Sequence, residues 1–159
     1  MAGLVQEILS LTDAATYPPY EIMPALTLAC GWLAQSSGGD TTTLDRLEKV
    51  HTQMQNRQSV ASLHEVRASA AGIRGEWGQA VSHYKVAAAN WEALQRLYDL
   101  LRALTGLSQA LIHTADTAAA NAVQQQATSR IEQLADELDE PEVKGAFLAS
   151  PLAREIRGS

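Results

Sequence analysis

The chain has 159 residues, a formal net charge of −6 and a hydrophobic fraction of 46%. That length suits one domain, and the apolar content is enough for a packed core, which argues against a disordered chain. An acidic surface repels phosphate backbones, so direct binding of nucleic acid is disfavoured. The single cysteine, Cys30, allows no intrachain disulfide, fits a reducing cytoplasm and is expected to be a small buried apolar residue.

Helices account for the apolar pattern better than strands do. Ala and Leu supply most of the apolar residues and aromatic residues make up only 5%, whereas sheets favour β-branched and aromatic residues. No apolar run reaches the length that spans a bilayer and no signal sequence is evident, so we expect a cytoplasmic protein without membrane contact. Apolar residues at helical spacing predict helices at about 4–13, 23–36, 40–56, 59–74, 76–94, 97–114, 116–138, 143–148 and 152–157.

Proline, glycine and capping residues mark most of the breaks between these helices. The prolines of residues 17–20 (Tyr-Pro-Pro-Tyr) end the first helix, and Pro24 is tolerated in the first turn of the second. Ser150 and Pro151 form an N-cap and first-turn pair that opens the last helix. The break at residues 95–97 contains neither Gly nor Pro, so one long helix is the alternative there. We place a turn at that point because the repeat described next requires it.

A tight turn between two helices recurs along the chain. In residues 74–80 (Arg-Gly-Glu-Trp-Gly-Gln-Ala) Gly75 can end a helix in the left-handed conformation, and Glu76 places a negative charge at the start of the next. Residues 39–44 and 115–120 repeat the order, and their acids lie 36 and 40 residues from Glu76 on either side. A helix pair with that period predicts an all-α solenoid. We expect one domain, 1–159, with pairs at about 23–57, 59–94 and 97–138, a leading helix and a capping tail at 141–157.

The turn and the helix after it resemble the tetratricopeptide-type repeat. Leu44, His64 and Gln124 depart from that family's pattern, which indicates a divergent variant with longer helices. The resemblance implies an antiparallel pair of helices in each repeat and a concave groove that binds a protein or a peptide. The matching residues are Gly75, Glu76, Trp77, Ala80, Tyr84 and Ala87.

A closer resemblance is to the repeat regions of bacterial ATPase-coupled transcription regulators of the maltose-regulator type and of related signalling proteins. Residues 91–94, Tyr98 and residues 102–106 are similar to their linking pattern, and residues 142–151 are similar to their closing segment. No phosphate-binding loop and no DNA-reading helix-turn-helix is evident in the sequence. The resemblance therefore implies the sensor or scaffold part of a larger signalling system, or a free-standing relative.

The family's groove positions can be carried over onto this chain. Arg102 would then pair with a carboxylate of a peptide partner, or it forms an ion pair with its own neighbours. In the first unit the same positions hold Leu26, Ala29 and Leu33, an apolar patch for the leading helix or for another subunit to cover. In the second and third units the predicted partner-binding residues are Glu65, Ser69, Arg102, Thr105 and Gln109.

Catalytic and metal-binding patterns are missing from the sequence. None of the four histidines is spaced to share a metal with another histidine or with Cys30, and the acidic residues at 132–142 lack the spacing of a calcium loop. No strand-turn-helix elbow frames a serine nucleophile. We expect a protein that is not an enzyme and needs no cofactor or metal.

Three hypotheses for function follow. The first is a protein-interaction module that binds a peptide segment or another subunit. The second is a small-molecule sensor with a pocket between helices, lined by Trp and Leu. The third is a homodimer that covers one exposed end of the solenoid through the leading helix, Leu26 and Leu33.

Overall fold

Helices joined by short links make up the part of the chain that the structure describes. The computed structural model describes residues 19–36 and 44–158, together with residues 7 and 10. This part contains eight α-helices and no strand, which confirms the all-α prediction. The helices are α1 (Pro19–Ser36), α2 (Leu44–Met54), α3 (Arg57–Ile73), α4 (Trp77–Ala93), α5 (Leu97–His113), α6 (Thr117–Asp136), α7 (Pro141–Leu148) and α8 (Pro151–Arg157).

The N-terminal boundary of α1 differs from the prediction. The helix begins at Pro19 rather than near residue 23, because a proline fits the first helical turn, where its missing N–H has no partner to lose. Pro24 therefore lies inside the helix and not in its first turn. Of the predicted leading helix, residues 7 and 10 are helical and the rest lies outside the described residues. The predicted turn at residues 39–40 also lies outside them.

The links after α2, α3, α4 and α5 recur every 20 residues. Each contains one residue with positive φ, namely Gln55 at 45°, Gly75 at 76°, Gln95 at 56° and Ala115 at 61°. In the last three links the N–H of the following residue donates to the carbonyl five residues back, at 2.9–3.0 Å. This left-handed C-terminal motif ends a helix and reverses the chain. The predicted break at 95–97 is confirmed, and one continuous helix through it is wrong.

Because Gln95 has a positive φ, replacing it with glycine is expected to stabilise the fold. A side chain in the left-handed region crowds the following carbonyl, and glycine does not. We expect Gln95→Gly to raise the free energy of unfolding by about 0.5–1 kcal/mol. Urea denaturation measures the change, with the exposed Gln53→Gly, inside α2, as a control that should destabilise. A loss of stability in Gln95→Gly would contradict the assigned turn.

Helices that follow each other in sequence pack against each other, and alternate helices also meet. From α3 to α6 each helix packs on the next, α1 packs on both α2 and α3, and α3 touches α5. Helices α1, α3 and α5 therefore lie side by side. Helices α7 and α8 pack on α6, and α8 also reaches α5. No described helix combines the length and the apolarity needed to cross a bilayer.

The buried side chains form two main clusters, one toward each end. The first joins α1, α2 and α3 and includes the wholly buried Leu26, Leu47 and Cys30. The expectation that Cys30 is a small buried residue is confirmed. The second joins α3, α4, α5, α6 and α8 around Trp91 and Ile131. Between them the chain uses small side chains, which let α4 approach α3 and α5 closely: Ala71, Ala80 and Ala110.

Candidate functional site

A groove of about 440 Å³ lies between α1, α3 and α5. The three helices line it side by side, and Tyr84 of α4 also lines it. Its size falls in the range of pockets that hold small ligands or a few residues of a peptide. The lining residues are Thr27, Leu28, Gly31, Trp32, Glu65, Val66, Ser69, Tyr84 and Arg102.

The wall formed by α1 is apolar and open. Leu28 is 75% exposed, the most exposed of the large apolar side chains in the described part of the chain. Trp32 and Val66 continue the apolar surface beside it. Among the described residues, no neighbouring group lies within 4 Å of the position that a Cβ would take on Gly31, so these residues leave the groove open at this point. An exposed leucine beside free space can bind an apolar side chain of a partner.

The opposite wall is a fixed pair of charges. The Nη2 atom of Arg102 donates to Oε2 of Glu65 at 2.8 Å, and its Nε donates to Oε1 of the same carboxylate. Glu65 also accepts a hydrogen bond from Nε1 of the buried Trp91 at 3.1 Å. Arg102 pairs in addition with Asp99 at 3.1 Å. One carboxylate therefore connects α3 to α4 and α5.

The protonation states in the groove follow from these contacts. The hydrogen bonds from Arg102 to Glu65 raise the pKa of the guanidinium, which stays charged. Burial raises the pKa of Tyr84 to about 12, and the negative charge of Glu65 adds to the shift. The Tyr84 hydroxyl therefore stays neutral at physiological pH and can donate a hydrogen bond to a ligand.

The structure brings three of the five predicted partner-binding residues into this groove. Glu65, Ser69 and Arg102 line it together. Thr105 and Gln109 lie farther along α5 and do not line it. The Thr105 hydroxyl donates to the carbonyl of Leu101 at 2.9 Å, and the Gln109 amide donates to Glu155 of α8 at 3.2 Å. Between the two predicted roles of Arg102, the structure shows the ion pair with its own neighbours.

Of the three groove positions predicted for the first unit, Leu26 and Ala29 lie in the core and Leu33 is half-buried against it. Leu26 is wholly buried and Ala29 is 2% exposed, because this side of α1 packs on α2 and α3. The neighbouring Leu28 and Gly31 face the groove instead. The dimer contact predicted for Leu26 is not available either, since that side chain is covered within the chain. Sequence reasoning missed Leu28, because α1 is apolar on most sides and its sequence does not distinguish the exposed apolar residues from the buried ones.

Three histidines cluster where α2, α3 and α4 meet, outside the groove. The Nδ1 atoms of His64 and His83 lie 3.0 Å apart, so one imidazole donates to the other, and His51 hydrogen-bonds the buried Ser59. Burial lowers the pKa of both His64 and His83, and the charge of Arg67 lowers that of His83 further. Within the described residues no group of three or more potential ligands is placed to hold a metal ion.

The histidine pair predicts acid sensitivity. Because both pKa values lie below the unfolded value of 6.5, the stability they provide is present above about pH 6.5 and is lost as the pH falls through the folded pKa. We expect the free energy of unfolding to fall from about pH 7 to pH 5, and to fall less in the double variant His64→Gln/His83→Gln. Urea denaturation at each pH measures this. The exposed His113→Gln is the control, and an equal fall in all three proteins would contradict the assignment.

Comparison of the chain with protein-family models, curated proteins and solved structures gives no match.

Proposed function

We propose that the chain is a tetratricopeptide-like solenoid whose groove binds an extended peptide segment of a partner protein, without catalysis. The helix pairs are α1–α2, α3–α4 and α5–α6, and α7 and α8 cap the end. The observation that carries the proposal is the open cleft along the first helix of each pair, where an exposed Leu28 faces the fixed pair Glu65–Arg102. The repeat of the links every 20 residues supports the solenoid.

The groove favours a peptide with an apolar anchor over a strongly acidic one. Arg102 is neutralised by two carboxylates, those of Glu65 and Asp99, so it offers N–H donors rather than an unpaired charge. An apolar side chain of the peptide would lie against Leu28 and Trp32. A peptide carbonyl would accept from the Tyr84 hydroxyl and from the Nη1 of Arg102. Apolar anchors in a partly desolvated site provide most of the affinity of such interfaces.

The cellular role that we propose rests on the resemblance of this chain to the repeat regions of bacterial ATPase-coupled transcription regulators. We place the chain in a bacterial signalling or transcription-regulator system, where it acts in the cytoplasm as the sensor or scaffold part. An acidic chain does not favour direct contact with DNA, so the regulatory output passes through the bound protein.

A random-peptide library displayed on phage tests the groove. We expect the chain to select peptides that share an apolar residue, and Leu28→Asp to weaken the best synthetic peptide by more than about tenfold, because a charge replaces the apolar contact. Ile112→Asp is the matched control, since Ile112 is 61% exposed but does not line the groove. Equal affinity of the two variants, or no selected sequence, would overturn the proposal.

A further inference from the structure

A second cavity, of about 210 Å³, lies beneath the two C-terminal helices. Helices α5 and α6 form its floor, where Leu101 and Ile131 are almost wholly buried. Helices α7 and α8 form its roof. Its mouth is at Tyr98, which is 65% exposed. The lining residues are Leu97, Tyr98, Leu101, Ile131, Leu134, Phe147, Ser150, Leu152 and Ala153.

We propose that this cavity binds a small, neutral, mainly apolar molecule of about the size of indole. An apolar cavity of about 150 Å³ lined by similar side chains stays dry and binds benzene, so this one has room for a slightly larger ring system. Among the residues that the structure describes, no charged side chain lines it. A charged ligand would lose its hydration there without gaining a partner, which excludes anions and cations.

The hydroxyl groups of Ser150 and Tyr98 belong to residues that line the cavity, so a ligand with one hydrogen-bonding group can find a partner there. The Ser150 hydroxyl oxygen accepts from the backbone N–H of Ala153 at 3.3 Å and caps α8, and its own O–H remains able to donate. The Tyr98 hydroxyl belongs to the residue at the mouth, and the Arg102 guanidinium lies 5.9 Å from its ring. The ligand would therefore enter with its ring toward Leu101 and Ile131 and keep its polar group near Ser150 or the mouth.

Polar contacts hold the two C-terminal helices at their edges. Lys144 of α7 pairs with Asp136 of α6 at 2.9 Å, Glu155 of α8 accepts from Gln109 of α5 at 3.2 Å, and Gln124 of α6 donates to the carbonyl of Ile156. The apolar space lies between these contacts. A molecule that fills it touches the floor and the roof together, so binding stabilises the docked position of α7 and α8 and raises the stability of the folded chain.

Indole is the probe for this site. We expect it to raise the Tm of the intact chain in a concentration-dependent manner. It should also shift the methyl NMR signals of Leu101 and Ile131, and leave those of Leu26 and Leu47 in the other cluster unchanged. Leu134→Trp should abolish the Tm shift because the larger side chain occupies the cavity. Leu94→Trp is the control, since Leu94 is 37% exposed and does not line the cavity.

Three outcomes would overturn the proposal: no Tm shift and no methyl shift up to the solubility limit of indole, methyl shifts confined to the other cluster, or an unchanged Tm shift in a folded Leu134→Trp. If Leu134→Trp fails to fold, the methyl shifts of the unsubstituted chain decide the question by themselves. The result can be distinguished from that of the peptide experiment, because peptide binding is measured at Leu28 of α1, whereas the cavity and the groove share no lining residue among those that the structure describes.

Discussion

Gly106→Ala is expected to lower the free energy of unfolding by about 1–3 kcal/mol. A Cβ on Gly106 would lie 2.6 Å from Cε1 of Tyr84 and 2.8 Å from its hydroxyl oxygen. The half-buried ring packs against the cluster of Ala71, Ala80 and Ala110 between α3, α4 and α5, which limits how far it can move away. The clash therefore separates α4 from α5. It exceeds the gain in helix propensity that a Gly-to-Ala change normally brings.

Two variants isolate the clash. Gly145→Ala is the matched control, because Gly145 is also helical but has no neighbouring group within 4 Å of its Cβ position among the described residues. We expect it to be neutral or to stabilise by up to about 1 kcal/mol. Tyr84→Leu should remove most of the cost of Gly106→Ala, and thermal unfolding of the single and double variants gives the coupling energy. If Gly106→Ala is as stable as Gly145→Ala, the ring does not lie over α5.

Glu65→Ala is expected to cost about 1–3 kcal/mol. The change leaves Nε1 of Trp91 without its acceptor, although Trp91 is only 3% exposed. It also removes the bidentate partner of Arg102, which retains its ion pair with Asp99. Most of the cost comes from the unsatisfied buried N–H, because the Arg102 side chain is 45% exposed and water can replace part of its ion pair.

A surface ion pair provides the comparison. Arg130 and Glu92 form a single contact at 2.8 Å with both side chains more than 40% exposed, so Glu92→Ala should cost less than about 1 kcal/mol. In a Trp91→Phe background the cost of Glu65→Ala should shrink, since no indole N–H remains to be satisfied. Urea denaturation of these variants and the unsubstituted chain measures both effects. An undiminished cost in the Trp91→Phe background would assign the stabilisation to Arg102 alone.

The helices and most of their ends could be predicted because they depend on local residue patterns. Asp116 caps α6 through a side-chain bond to Ala119 N–H at 3.1 Å, and Ser150 caps α8, both from residue types that favour these positions. Gln95 shows the limit of that reasoning. It takes a conformation that its type rarely adopts, since packing of α4 and α5 on their neighbours outweighs a local cost of about 1–2 kcal/mol. Only the spacing of the repeat indicated the turn.

The groove was harder to predict than the helices. Glu65, Ser69 and Arg102 were predicted because the family resemblance assigns equivalent groove positions to α3 and α5. The hydrogen bond between Arg102 and Glu65 was not predicted, because it joins residues 37 apart and no local sequence pattern indicates it. On α1 the prediction failed for a physical reason. That helix is apolar on most sides, so the sequence does not show which apolar residues face the core and which, like Leu28, stay exposed.

The most direct test of the peptide groove is a calorimetric titration of one selected peptide into three proteins: the unsubstituted chain, Gly31→Trp and Gly78→Trp. Both glycines are helical and have no described neighbouring group within 4 Å of the Cβ position, but of the two Gly31 lines the groove and Gly78 does not. We expect Gly31→Trp to weaken binding by more than about tenfold by filling the cleft, and Gly78→Trp to bind like the unsubstituted chain. Equal affinity in all three proteins would contradict the groove as the binding site.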